Sequence, residues 1–142
     1  MMGIEENKEV IRSFIESANE VKGDVSKIQP IVDRFISPNH IHHRPDKDTK
    51  LEETLQFWSM YFIAFPDLLY VIEDLIAEGD KVVARVTNTA THQGPLMGIP
   101  PTGTKLTFTG TDIFRVVDGK ITDEWSFVDQ FGMMQQIGAI PS

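Results

Sequence analysis

Three helical segments followed by four strand-like segments predict an α+β domain in which a strongly curved antiparallel sheet folds over a helical layer. Two observations carry this expectation. Apolar residues recur at three- and four-residue spacing as far as Phe65-Pro66, and β-branched and aromatic types dominate after it. The breaks in the second half, Glu78-Gly79-Asp80 and Val117-Asp118-Gly119-Lys120, have the composition of hairpin turns. With 142 residues the chain can bury its own core without a metal or disulfide. Residues 1–142 therefore read as a single domain, with no internal repeat or linker.

Val10, Ile11, Phe14, Ile15, Ala18 and Val21 lie at helical spacing and lead to Lys22-Gly23, a basic last turn and a helix-stopping glycine. This predicts a first amphipathic helix over 6–22. Asp24 opens a second segment in which Ile28, Ile31, Val32, Phe35 and Ile36 repeat at three and four, with Pro30 in its first turns. A shorter helix is expected there, stopped near Ser37-Pro38. Leu51, Leu55, Trp58, Phe62 and Phe65 define a third helix over 50–65, closed by Pro66. Strands are expected over 68–77, 81–92, 105–117 and 120–130. The connection from Gln93 to Gly103 is longer than a hairpin turn needs and carries Leu96, Met97 and Ile99. Such a segment is either a binding loop or a surface loop packed for stability.

Composition narrows the chemistry. There are no cysteines, which removes disulfides, thiolate nucleophiles and cysteine-ligated metal centres. The 21 acidic and 13 basic residues give a net charge of −8, which repels phosphate backbones and anionic lipid, so nucleic acid and membrane surfaces are not expected partners. The first ten residues have neither the basic start nor the apolar core of a signal peptide, and cytoplasmic residence is the expectation. Nucleotide-binding glycine motifs, a Gly-x-Ser-x-Gly elbow and His-Glu-x-x-His do not occur, so no cofactor and no catalytic metal is expected.

Strand parity supplies the candidate site. On 120–130 the odd positions Ile121, Trp125, Phe127 and Asp129 share one face, which sets a carboxylate among large aromatics. A carboxylate so placed is paired, neutralised by a raised pKa, or used for catalysis. On 81–92 the even positions Val82, Ala84, Val86 and Ala90 share a face with His92. A lone histidine there is either a hydrogen-bonded core residue or a titrating group near neutrality. Asp112 has the parity of Leu106, Phe108 and Phe114 and so points inward unless a bulge inverts its strand. Arg85 and Arg115 fall on the opposite face. His40, His42 and His43 could offer a His-x-His pair to a metal, but no third ligand stands at diagnostic spacing, and a polar rim or wall of a cavity is preferred.

Several short motifs stand in a shared order: Phe65-Pro66-Asp67-Leu68, Glu78-Gly79-Asp80-Lys81-Val82, Thr91-His92-Gln93-Gly94, Gly98-Ile99-Pro100-Pro101-Thr102-Gly103, and Asp118-Gly119-Lys120-Ile121 leading to Trp125, Asp129 and Gln136-Ile137-Gly138. In these the chain resembles the SnoaL-like polyketide cyclases, or ester cyclases, of the nuclear-transport-factor-2-like superfamily, over nearly its whole length. The resemblance implies a cone-shaped sheet around N-terminal helices, a deep apolar pocket, and assembly as a homodimer or homotetramer. It implies a cofactor-independent intramolecular aldol closure of a small apolar, carbonyl-bearing substrate. Asp129 would be the acid/base and His92 its orienting or polarising partner. His43, Trp58 and Phe62 would line the pocket, which Met97, Phe108, Asp112, Trp125 and Phe127 complete. Where this family usually has Glu, the chain has Asp123. A non-catalytic binding module, or an isomerase, dehydratase or hydrolase on the same fold, are the alternative expectations.

Overall fold

The structure is a computed structural model and describes residues 3–141. Helix α1 spans Ile4–Ala18, a 3₁₀ turn Val25–Lys27, α2 Ile28–Phe35, and α3 Leu51–Ala64. Strands are β1 Ile36–His43, β2 Asp48–Lys50, β3 Leu69–Glu78, β4 Lys81–Thr91, β5 Lys105–Val117 and β6 Lys120–Val128, and α4 covers Gln130–Gln136. The fold is α+β as expected. The six strands form one open sheet in the order β2-β1-β6-β5-β4-β3.

Local bonding and backbone restriction explain where the first two helices stop. The α1 helix ends at Ala18, four residues before the expected limit, because the Asn19 side chain clasps the backbone of Tyr70 on β3. Its Nδ2 donates to the Tyr70 carbonyl at 3.0 Å and its Oδ1 accepts from the Tyr70 N–H at 2.8 Å. The chain then turns through Lys22 and Gly23, both at positive φ. Asp24 caps the following turn by accepting from the Ser26 N–H. After Phe35 the backbone becomes extended, as the approach to Pro38 favours, and Ile36–His43 is a strand. This strand lies parallel to β6, so the sheet is mixed where a purely antiparallel one was expected. The remaining neighbours are antiparallel.

The inward faces of β4 and β5 follow the expected parity: Val82, Ala84, Val86, Ala90, Leu106, Phe108 and Phe114 are all buried. Strand β6 does not. Arg115 pairs with Asp123 but Val116 pairs with Ile121, so Thr122 is an extra residue in the ladder. A one-residue insertion exchanges the two faces beyond it. Ile121 points inward, and so do Glu124, opposite Phe114, and Ser126, opposite Asp112. Trp125 and Phe127 point outward, which corrects their expected place in the pocket; Phe127 is half exposed.

The strand expected to reach residue 130 stops at Val128, and α4 follows. Asp129 is its N-cap, accepting from the Gly132 N–H at 3.0 Å, and Met133 is driven into the core. The long loop is anchored to the end of α3: Gln93 and Gly94 both donate to the Ala64 carbonyl, at 2.9 and 3.1 Å, and Leu96 is fully buried. A side chain at Gly94 would collide with the Ile63 carbonyl, so only glycine permits this approach.

Candidate functional site

Helices α1, α2 and α3 cover the inner face of the sheet and leave a cavity of about 80 Å³. Phe14, Ala18, Ile31, Trp58 and Phe62 contribute its helical wall, and Tyr70, Val86 and Phe114 part of its sheet wall. The carboxyls in this lining are Asp112 on β5 and Glu124 on β6. They are near neighbours on adjacent strands because Asp112 faces Ser126 and Glu124 stands two residues earlier on the same side. The apolar periodicity of α1–α3 creates the wall, and the Thr122 bulge turns the second carboxyl into it.

A hydrogen-bonded chain supports Glu124 from behind. His42 Nε2 lies 2.8 Å from Ser126 Oγ, which donates to Glu124 Oε2 at 3.0 Å. A hydroxyl has one proton to give, so with Glu124 as its acceptor Ser126 receives from His42 Nε2–H. Glu124 Oε1, His42 Nδ1 and both ring nitrogens of His40 are buried without a partner among the described residues. Buried polar atoms are almost always bonded to protein or ordered water, so these mark where a ligand or water would be held.

Electrostatics separate the groups. Burial raises the Asp112 carboxyl above the ordinary carboxylate range, with the nearby Ser126 hydroxyl opposing the shift. Burial raises Glu124 further, and the charge of Asp112 adds to it. Two such groups do not both ionise readily near neutrality. Burial lowers His40 to about 4 and His42 to about 4, the latter aided by His40 and the Arg44 charge, so both imidazoles are neutral at pH 7. Burial and the two nearby carboxylates hold the Tyr70 phenol protonated.

Of the residues expected to line the pocket, Trp58, Phe62 and Asp112 meet at this cavity. The others are elsewhere. Asp129 is exposed at the α4 N-cap, because the bulge and the early end of β6 remove it from the inner face. His92 is fully buried beside Phe65, with Nδ1 3.0 Å from Thr102 Oγ1, and lies outside the cavity lining. Phe108 packs on Phe65 in the core. Met97 is exposed in the loop. His43 faces outward, stacked on Trp125 with ring centroids 4.6 Å apart and bonded to Asp48 at 3.0 Å and Asp123 at 2.9 Å. Arg115 and Lys81 lie over the same indole, and Arg85 pairs with Asp74, as their outward parity suggested.

Glu124, Tyr70 and Ser126 escaped sequence reasoning; His40 and His42, expected at a polar rim or wall of the cavity, are buried beside Trp58. The usable signal was Asp112: an inward carboxyl on β5 needed polar partners on the adjoining strand. Among the described residues, no group of three or more His, Asp or Glu side chains is arranged to hold a metal ion, and no helix is long and apolar enough to cross a membrane.

An α+β fold holding an apolar cavity with a few convergent polar groups is the usual setting of a small-molecule site. The chain belongs to the SnoaL-like polyketide cyclase family, whose model matches residues 8–137. It is 27% identical over 132 residues to the aklanonic acid methyl ester cyclase DauD of Streptomyces sp. (strain C5), a match covering 92% of this chain and 80% of DauD. Identity is also 27% over 133 residues to the aklanonic acid methyl ester cyclase DnrD of Streptomyces peucetius, covering 92% and 89% of the two chains. Among solved structures, AclR of Streptomyces galilaeus, a hydroxylase candidate, superposes with a TM-score of 0.88 at 27% identity, covering 99% of this chain and 85% of AclR.

Proposed function

We propose that this chain catalyses a cofactor-independent ring closure of intramolecular aldol type on an apolar carbonyl compound, with Asp112 and Glu124 as its acid/base pair. The observation that carries this reading is the pair of buried carboxyls on one cavity wall, both raised by their surroundings. The related enzymes DauD and DnrD are named as cyclases of a methyl ester, which favours carbon–carbon bond formation over ligand storage.

In this mechanism ionised Asp112 removes a proton from carbon next to a carbonyl, and the carbanion attacks a second carbonyl carbon of the same molecule. Protonated Glu124 donates to that second carbonyl oxygen as negative charge develops on it, giving the alcohol. Proton transfer from Asp112 to Glu124 restores the starting state, so the reaction is a net isomerisation. Raised pKa values suit both steps: a desolvated carboxylate is a stronger base, and a carboxyl that stays neutral at pH 7 can act as an acid. Ser126 and His42 orient Glu124 and leave its Oε1 free to face the substrate. The expected setting is cytoplasmic, as a homodimer or homotetramer.

Turnover of simple open-chain diketones would test the assignment. Asp112→Asn and Glu124→Gln should each lower kcat by about 10²–10⁴-fold without unfolding the chain. The wild-type profile should be bell-shaped about neutrality, falling as Asp112 protonates and again as Glu124 ionises, with Asp112 raised to about 6 and Glu124 to about 8. Unchanged turnover in both variants, with loss in Asp129→Asn instead, would return the acid/base role to Asp129.

A further inference from the structure

We propose that Phe14 restricts the cavity to carbonyl compounds no larger than a single ring and excludes fused polycyclic substrates; this substrate class rests on the acid/base reading above. The space available is about 80 Å³. Pockets for drug-sized ligands run to roughly 300–1,000 Å³, and an engineered apolar cavity of about 150 Å³ takes up benzene. The space is about half of that, so it suits a short chain and, at the upper limit, one ring.

One side chain accounts for much of that closure. Phe14 projects from α1 across the helical layer and touches an aromatic ring on each of three other elements. Its centroid lies 5.8 Å from Phe35 on α2, 6.2 Å from Trp58 on α3 and 6.0 Å from Phe114 on β5. The contacts with Phe35 and Phe114 are edge-to-face, a favoured arrangement that holds the ring in place. Unlike Phe35 and Phe114, Phe14 is only partly buried, while Ile11 and Ile15 of α1 carry the helix's core contacts. Truncating it would join its volume to the cavity while leaving those anchors and both carboxyls in place.

A size limit acts against bare hydrophobicity. Larger apolar ketones bury more surface and would bind an unrestricted cavity more tightly. Binding of cyclohexanone, 2-tetralone and anthrone, with one, two and three rings, should be measured by calorimetry on the full chain. In the wild type, affinity should fall by about tenfold or more from cyclohexanone to anthrone. In Phe14→Ala the order should reverse, and Phe14→Leu, milder for folding, should admit 2-tetralone. Wild-type affinity that rises with ring number, absence of binding by any of the three, or an unchanged order in a folded Phe14 variant would overturn the proposal. If neither variant folds, the wild-type series alone decides. The same series on Asp112→Asn and Glu124→Gln separates the two readings. A persistent size limit with undiminished diketone turnover sinks the acid/base assignment alone, while loss of turnover without a wild-type size limit sinks the Phe14 assignment alone.

Discussion

Asp112 and Glu124 raise an energetic question, because each is more easily ionised in the unfolded chain than in the folded one. The folded state retains protons that the unfolded state has lost, so this contribution to stability declines as pH rises from about 4 through the raised folded values. His40 and His42 act in the opposite sense. Their folded pKa values are depressed to about 4, so stability is present above the unfolded value of about 6.5 and is lost as pH falls through the folded one. The site thus opposes folding on both sides of neutrality. Asp112→Asn should stabilise the chain at pH 8, by on the order of 2 kcal/mol, and by about half as much at pH 5, while lowering activity. Calorimetric melts at the two pH values check this; equal shifts would mean that the carboxyl is not strained by burial.

At the level of elements, helices α1 to α3 and strands β4 and β5 were legible because each keeps one period of apolar residues, and β3 was legible by its β-branched content despite a bulge at Glu73. Strand β1 was hidden by Pro38-Asn39 and by histidines, which carry no strong strand preference, although two of them point inward. The decisive miss was in β6. Thr122 carries no local mark of a bulge, so uninterrupted parity put Trp125, Phe127 and Asp129 on the inner face and left Glu124 unnoticed. Asp129 instead starts α4, and Asp129→Ala should cost about 1 kcal/mol in a denaturant melt with kcat unchanged. His43 ties β2 and β6 to β1. Its burial lowers the imidazole pKa, but bonds to Asp123 and Asp48 outweigh that and the net shift is upward. A raised histidine stabilises fully below its unfolded pKa and loses that contribution as pH rises through the folded value. His43→Gln should therefore lower Tm by about 2 °C at pH 5.5 and by less at pH 8.5; an equal deficit at both would leave stacking on Trp125 as the whole effect.

Across the whole molecule the sheet has two faces with different tasks. The inner face carries the cavity. The outer face holds a cross-strand row, Ile76, Val83, Ile113 and Trp125, flanked by the Arg85–Asp74 and Arg115–Asp80 pairs. Ile76 is 61% exposed at the end of that row. If the expected homodimer uses this surface, Ile76→Asp should shift sedimentation toward the monomer through desolvation of the new charge, and an unchanged profile would remove this face from the interface.

The parallel pairing of β1 with β6 has a kinetic consequence. His42 and Ser126 meet across 84 residues of chain, and β1 has no long partner other than β6, the last strand in chain order. Closing so distant a contact is slow relative to forming the hairpins of β3 to β6. During synthesis, the N-terminal helices and β1 must wait for β6 to emerge before the inner wall is complete. A chain interrupted before Lys120 would hold Asp112 but neither Glu124 nor Ser126, so the acid/base pair comes together only as folding ends.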